Sequence, residues 1–306
     1  MKLYGIITLC FLMAFWVLGN PKSNQQQLIY LGQTPPTSIP KIFAPGLISK
    51  ADESEFGSVF NKDATEFYFG VDVNGKAEIR YTKLEGSIWS KPKVLLSQDT
   101  YSLNDPFLSP DESRLYFISN NALEGDDIKE DYDIWYIERE GNKWNPKLIR
   151  ASPNINTDKN EYYMSFAENG SMYFSSNKNA PINRKHDFNI YVSVFKQGAF
   201  QKPKLLGNSI NTGAYEADVF VSPDESYIIF CSIREEGYGQ GDLYISFKDD
   251  NDNWSKATNM GAVINTTGHE LCPFVTKDGK YLFYTSNQDI YWVDANVIQQ
   301  LKNQNN

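Results

Sequence analysis

Soft metal ligands are scarce in this chain: 306 residues carry two histidines and three cysteines. No His-Glu-x-x-His run is present, which removes the usual zinc-hydrolase arrangement of two imidazoles on one helix face. No serine or cysteine nucleophile motif and no phosphate-loop pattern is found either. Positive charge is short as well, with 29 Lys and Arg against 38 Asp and Glu and a formal net charge of −9. Nucleic-acid phosphates demand clustered basic side chains, and the sequence has no Lys/Arg run, so nucleic acid is excluded as a partner. An acidic surface suits solubility and neutral or cationic ligands.

The apolar run Leu3–Leu18 is shorter than the roughly 20 residues that cross a bilayer as a helix. With Lys2 ahead of it and Val17-Leu18-Gly19 behind it, Met1–Gly19 reads as a secretory signal cut before Asn20. A retained membrane anchor is the alternative. A lipoprotein reading would use Cys10, which lies mid-run in a poor match to a lipidation site. Residues 20–39, rich in Gln, Pro and Thr, read as an extended tether, and no membrane span is expected in the mature chain. Cleavage leaves Cys231 and Cys272. Export invites a disulfide, but both stand in apolar runs and are expected as buried thiols. Neither pairs with a histidine in a nucleophile pattern.

Aromatic residues are abundant, with 19 Tyr and 19 Phe, and they fall in a repeat. Five times the chain runs acid, apolar strand, polar turn, aromatic strand, then Asp-Ile-Tyr or a variant. The openers are Glu55, Asp105, Glu161, Glu216 and Glu270, so the period is 50 to 56 residues. Such self-similarity signals a repeat architecture. Each unit reads as four short strands by period-2 alternation. Turns such as Ser109–Ser113, Ser222–Ser226 and Thr276–Lys280 carry Pro, Asp or Gly where a tight reversal needs them. A lone sheet of four strands cannot bury both faces, whereas sheets stacked radially can. The expected fold is all-β: a five-bladed β-propeller over residues 40–293, as one domain. A six-bladed ring, the alternative, needs a unit that the sequence lacks.

The fifth unit stops after its third strand. Pro40–Glu55 resembles Pro203–Glu216, the stretch that joins one unit to the next, so residues near Lys41–Leu47 are expected to close the ring on the fifth unit's third strand. Closure removes the exposed sheet edge. In the tail, residues 294–306, Val297, Ile298 and Leu301 stand at helical spacing and predict one short docked helix.

The repeats resemble the TolB-like, WD-like β-propeller repeats of Gram-negative envelope proteins. The resemblance is carried by Ser-Pro-Asp before Leu115-Tyr116-Phe117 and before Ile228-Ile229-Phe230, and by Lys277-Asp278-Gly279 before Tyr281-Leu282-Phe283. It is carried also by Asp133-Ile134-Trp135, Asn189-Ile190-Tyr191, Asp242-Leu243-Tyr244 and Asp289-Ile290-Tyr291. It spans 40–293; the first unit departs most. It implies an exported protein of the periplasm or cell surface. Members range from scaffolds to enzymes, so the resemblance names no activity.

A site is expected on the face that carries the inner-strand starts and the long loops 120–132, 177–188 and 233–241. Loops raised from a rigid scaffold usually carry binding. Glu55, Glu161, Glu216 and Glu270 share one register, and Asp105 and Asp218 stand two residues further along their strands. Positions two apart in a regular strand face the same way, so these six acids are expected to ring the channel mouth. The repeated Glu residues also fit a packing role, accepting hydrogen bonds from neighbouring-blade backbone; Asp105 and Asp218 break the repeat and are the stronger functional candidates. His269, Arg234 and Tyr238 complete the candidate set, the latter two on a glycine-rich loop that reads as mobile; His186 lies in another loop. Glu124, Asp126, Asp127, Glu130 and Asp131 supply the oxygens that Ca²⁺ prefers without EF-hand spacing, so no cofactor is assigned beyond that option. Trp89, Trp144, Phe200 and Trp254 share a register that indicates blade packing.

The sequence therefore supports a monomeric binding or scaffold module for a glycan, peptide or envelope protein. Its rival is a glycoside hydrolase or lyase, which needs two carboxylates about 5–5.5 Å or 6.5–9.5 Å apart.

Overall fold

A computed structural model describes residues 28–122, 131–181 and 187–304. The chain is a five-bladed β-propeller, each blade a meander of antiparallel strands. Blade 1 runs through Ser54–Phe60, Glu66–Val73, Lys76–Glu85 and Lys93–Leu96. Blade 2 uses Leu103–Leu108, Arg114–Ser119, Asp133–Glu140 and Ile149–Arg150. Blade 3 uses Glu161–Phe166, Met172–Ser176, Asn189–Ser193 and Lys204–Leu205. Blade 4 uses Tyr215–Val221, Tyr227–Ile233, Asp242–Phe247 and Thr258–Asn259. Blade 5 takes three strands from the C-terminal end, Leu271–Val275, Tyr281–Ser286 and Asp289–Asp294, and its fourth, Lys41–Ile42, from the N-terminal end.

That fourth strand closes the ring in the expected register, Lys41 opposite Trp292 and Ile42 opposite Tyr291. Phe43 follows it into the seam between blades 5 and 1 and is fully buried, edge-on to Phe60, Phe283 and Trp292. Burying one such ring contributes about 1.5–3 kcal/mol, so the seam holds through packing more than through the two-residue ladder. The tail forms the expected helix, Asn296–Gln304, with Val297 and Ile298 buried.

The segment expected as a tether is docked over its described part. Tyr30 and Leu31 are buried, and the Tyr30 hydroxyl donates to Asp278 at 2.8 Å. An aromatic and an aliphatic residue in a polar stretch found a groove, which composition alone did not foretell. Residues 1–27, with the signal and Cys10, lie outside the described residues, as do His186 and the acids Glu124, Asp126, Asp127 and Glu130. Among the described residues no helix is long and apolar enough to cross a membrane.

The first strand of every blade packs against the first strands of its neighbours around the axis. Turns between first and second strands share one face, the turn face. The inner-strand starts and the ends of the second strands share the opposite one, the mouth face.

Candidate functional site

The linker into each of blades 3, 4 and 5 ends in the same words: Ile155-Asn156-Thr157, Ile210-Asn211-Thr212 and Ile264-Asn265-Thr266, each four residues before its Glu. The Ile is buried without exposure or nearly so. Each Asn carboxamide pairs with both backbone groups of the preceding blade's third strand, as Asn156 does with the N–H and C=O of Ile134 at 2.8 and 2.9 Å. The Thr then donates to the Glu. Glu161 accepts from the Thr157 amide, the Thr157 hydroxyl and Ser176, all at 2.8 Å. Glu270 accepts from Thr266 through its amide at 3.0 Å and hydroxyl at 2.7 Å, and from Ser286 at 2.7 Å. Glu216 repeats the pattern with Thr212. Glu55 keeps a weaker version with the Lys50 amide.

All four Glu side chains have no exposure, and they do not ring the axis. The expectation that they share a face with the residue two further on is corrected by a β-bulge in every inner strand. Pairing slips after Phe56, Asn104, Tyr162, Ala217 and Leu271. A bulge inserts an unpaired residue and breaks the two-residue alternation. The bulged positions are Gly57, Asp105, Tyr163, Asp218 and Cys272, all with positive φ between 31° and 55°. They, rather than the Glu register, turn inward.

The four side chains, with the Gly57 backbone against Asp105, close the axis. The Tyr163 hydroxyl donates to the Pro273 carbonyl at 2.9 Å, and the Cys272 thiol donates to Asp105 Oδ1 at 3.5 Å. Both contacts join blades that are not neighbours, so both span the ring. One layer further in, Phe107 packs edge-on to Tyr163 and Phe274, at 6.2 and 5.9 Å between centroids, and Phe274 to Phe220 at 6.1 Å. On the turn side this collar leaves a cavity of about 20 Å³. Asp105 and Asp218 are 8% exposed. Burial pushes the Asp105 carboxyl up to about 6. Burial, with the charge of Asp105 added, pushes Asp218 up to about 8. Burial likewise raises Glu55 and Glu161 to about 7.

The remaining candidates sit beside blade 4. Arg234 lies over the Tyr244 ring at 4.2 Å and 3.7 Å from Glu216, its side chain 6% exposed. It neutralises a buried acid and does not reach solvent. The glycine-rich loop is tied down: the amides of Tyr238 and Gly239 donate to Asp242, and the Gln240 amide to the Gly268 carbonyl. A Cβ on Gly239 would stand 2.4 Å from the Gly268 carbonyl oxygen, and one on Gly241 2.4 Å from the His269 ring. The glycines allow close approach, which corrects the reading of mobility. Of the candidates Arg234, Tyr238 and His269, Tyr238 alone is well exposed.

His269 Nε2 lies 3.3 Å from the Cys231 sulfur, a meeting of cysteine and histidine that the sequence did not indicate. The pair is not an activated nucleophile. Cys231 is fully buried and its pKa is raised well above the usual thiol value, while burial lowers that of His269. Both described cysteines are free thiols. Among the described residues no three His, Cys, Asp or Glu side chains converge for a metal ion.

A feature that sequence reading missed lies above the acids on the mouth face. Tyr162 stacks on Phe188 at 4.7 Å and 14°, with Tyr132 edge-on to Tyr162 and Tyr215 edge-on to Phe188. All three tyrosines are partly exposed. The signal was available, with Tyr162 and Tyr215 at inner-strand starts and Tyr132 and Phe188 just before third strands, but only the packing of the blades brings them together.

No family model matches this sequence, and no curated protein is similar to it. Solved structures share the fold. TolB from Acinetobacter baumannii aligns with a TM-score of 0.50 at 16% identity, over 78% of this chain and 54% of its own. A TolB-like protein described as putative TolB from Agrobacterium tumefaciens gives 0.48 at 16%, over 76% and 70%. A protein of unknown function from Dyadobacter fermentans gives 0.50 at 13%, over 85% and 83%. The chain thus spans about half the length of the first of these, and the likeness is one of fold.

Proposed function

We propose that this chain is an exported binding or scaffold module of the bacterial cell envelope, acting on its mouth face, and that it catalyses no reaction. The observation that carries this reading is the occluded axis. The two acids that would serve as a glycosidase pair, Asp105 and Asp218, share one axial layer with Tyr163 and Cys272, and hydrogen bonds from blade 3 to blade 5 and from blade 5 to blade 2 cross the ring. Hydrolysis needs a sugar oxygen within hydrogen-bond reach of a carboxyl, and side chains that are 8% exposed and tied across the axis disfavour it. The partly exposed rings of Tyr132, Tyr162 and Tyr215, packed around the buried Phe188, are instead flat and partly polar and suit a glycan ring or a peptide side chain.

A second reading, a carbohydrate-active enzyme, draws on the separated pKa values of Asp105 and Asp218, since unlike neighbouring carboxyls mark acid/base pairs. A panel of glycans, peptidoglycan fragments and peptides, scored for both binding and turnover, distinguishes the two. Binding without turnover, weakened by Tyr162→Ala, is expected. Turnover abolished by Asp105→Asn and Asp218→Asn would replace the scaffold reading with the enzyme. Export is checked separately: the mature protein should begin near Asn20 and be recovered outside the cytoplasm.

A further inference from the structure

The turn face carries five grooves, one between each pair of blades, and the residue that opens or shuts each is fixed by the repeat. In every first turn one residue has positive φ and donates its amide three residues back: Ala64, Glu112, Gly170, Glu225 and Gly279. Where it is Glu, its side chain reaches back across the groove to the preceding blade. Glu112 accepts from the Lys62 amide. Glu225 accepts from the Tyr173 hydroxyl and from Asn169. Those two grooves are shut. Where the residue is Ala or Gly, nothing reaches back, and three grooves are left without a bar.

One of the three is filled by the chain itself. In the groove between blades 5 and 1, the Tyr30 amide donates to the Ala64 carbonyl at 3.4 Å and its hydroxyl to Asp278 at 2.8 Å. Its ring lies edge-on to Phe60 and Tyr281, at 5.1 and 4.9 Å. The Trp89 indole donates to the Leu28 carbonyl at 2.6 Å. The groove between blades 4 and 5 is flanked by the C-terminal helix.

The third, between blades 2 and 3, stands open with a volume of about 410 Å³, and its walls repeat those that hold Tyr30 except that Arg114 stands in the register of Tyr281. Phe166 ends its inner strand as Phe60 does. Gly170 takes the place of Ala64. Asp111 occupies the turn as Asp278 does, accepting from Ser109 and Ser113 as Asp278 accepts from Thr276 and Lys280. Phe200 stands in the register of Trp89, with Phe195, 37% exposed, beside it.

We infer that the groove between blades 2 and 3 is a docking site for an extended peptide segment of a partner protein, anchored by a tyrosine or tryptophan. The anchor's ring packs on Phe166, Phe195 and Phe200, and its O–H or N–H donates to Asp111. The chain's own Leu28–Leu31 supplies the template. An aromatic anchor in a preformed pocket is where peptide affinity usually concentrates. This face lies opposite the mouth, so the inference does not rest on the function proposed above.

The test uses the full chain and a fluorescent peptide of the sequence Gln27–Thr34, followed by anisotropy. Saturable binding is expected, and changing the peptide's Tyr to Ala should weaken it by about tenfold or more, the loss of one anchor. Gly170→Glu, which installs the bar that shuts two other grooves, should weaken binding to a similar extent. Phe195→Ala, at an exposed position that leaves the fold intact, should do so independently. No binding at millimolar peptide, or binding that both variants retain, overturns the inference; the latter result would mean exchange into the groove of blades 5 and 1. Sedimentation of the wild type should show a monomer. A dimer that Gly170→Glu abolishes would assign the groove to a second copy of this chain and overturn the partner assignment.

Discussion

The hydroxyl of Tyr163 donates to the carbonyl of Pro273, 2.9 Å away on a blade that is not its neighbour. This bond passes across the propeller axis and shows why acids near a channel mouth need not form an open site. Tyr163 occupies the bulge position that Asp105, Asp218, Cys272 and Gly57 hold in the other blades. The five differ in size and polarity because they meet: a ring of five equal residues would clash or leave a void.

The repeated glutamates should behave as structural groups. Glu161→Gln and Glu270→Gln each replace one carboxyl oxygen with an NH₂ amid three donors that stay buried. Each is expected to destabilise the protein by about 1–3 kcal/mol, read as a lowered urea midpoint. Midpoints equal to wild type, together with lost ligand binding, would return these residues to the candidate site.

Stability should fall as pH rises through the neutral range. In the unfolded chain the carboxyls ionise near their ordinary values, whereas folding holds Asp105 protonated to about 6 and Asp218 to about 8. The folded state therefore binds more protons between these limits, and the stabilisation present below about pH 4 is lost as pH climbs through 6 and 8. Glu55 and Glu161, raised to about 7, add to the same slope. Asp218→Asn should flatten the upper part of the curve and raise the melting temperature at pH 8 relative to wild type. Thermal melts at unit steps from pH 4 to 9 check this; a variant curve parallel to wild type would contradict it.

Gly57 is the blade 1 member of the axial ring, at φ +47°, and an added Cβ would lie 2.5 Å from Asp105 Oδ1 and 2.9 Å from its Cα. The backbone atom cannot swing aside. Gly57→Ala should therefore destabilise by more than about 1 kcal/mol, whereas Gly86→Ala, also at positive φ but with nothing within 4 Å, bears the backbone strain alone and should be milder. Calorimetry on the pair separates close packing from backbone conformation.

Removing residues 20–46 should lower the melting temperature far more than removing 294–306. The first deletion strips blade 5 of its outer strand and empties the seam of Tyr30 and Phe43; the second loses one helix with two buried side chains. Equal melting temperatures would contradict a ring closed from the N-terminal end.

The sequence alone determined the fold, because blades are built from local signals repeated at one period. Alternation in Tyr227–Ile233, the Ser-Pro-Asp turns and the missing fourth strand after Val293 all act within a few residues of each other. Ring closure by Lys41–Ile42 was legible for the same reason: the linker repeats. What faces the axis was not legible. A bulge at Asp105 or Asp218 answers crowding among strands more than 50 residues apart, and it resets the alternation by which side-chain directions are read. Likewise the meeting of Cys231 with His269, the docking of Tyr30 and the open groove at Gly170 are set by which blades become neighbours. Local chemistry fixed the strands and turns; contacts between blades decided which of their side chains meet water, each other or a ligand.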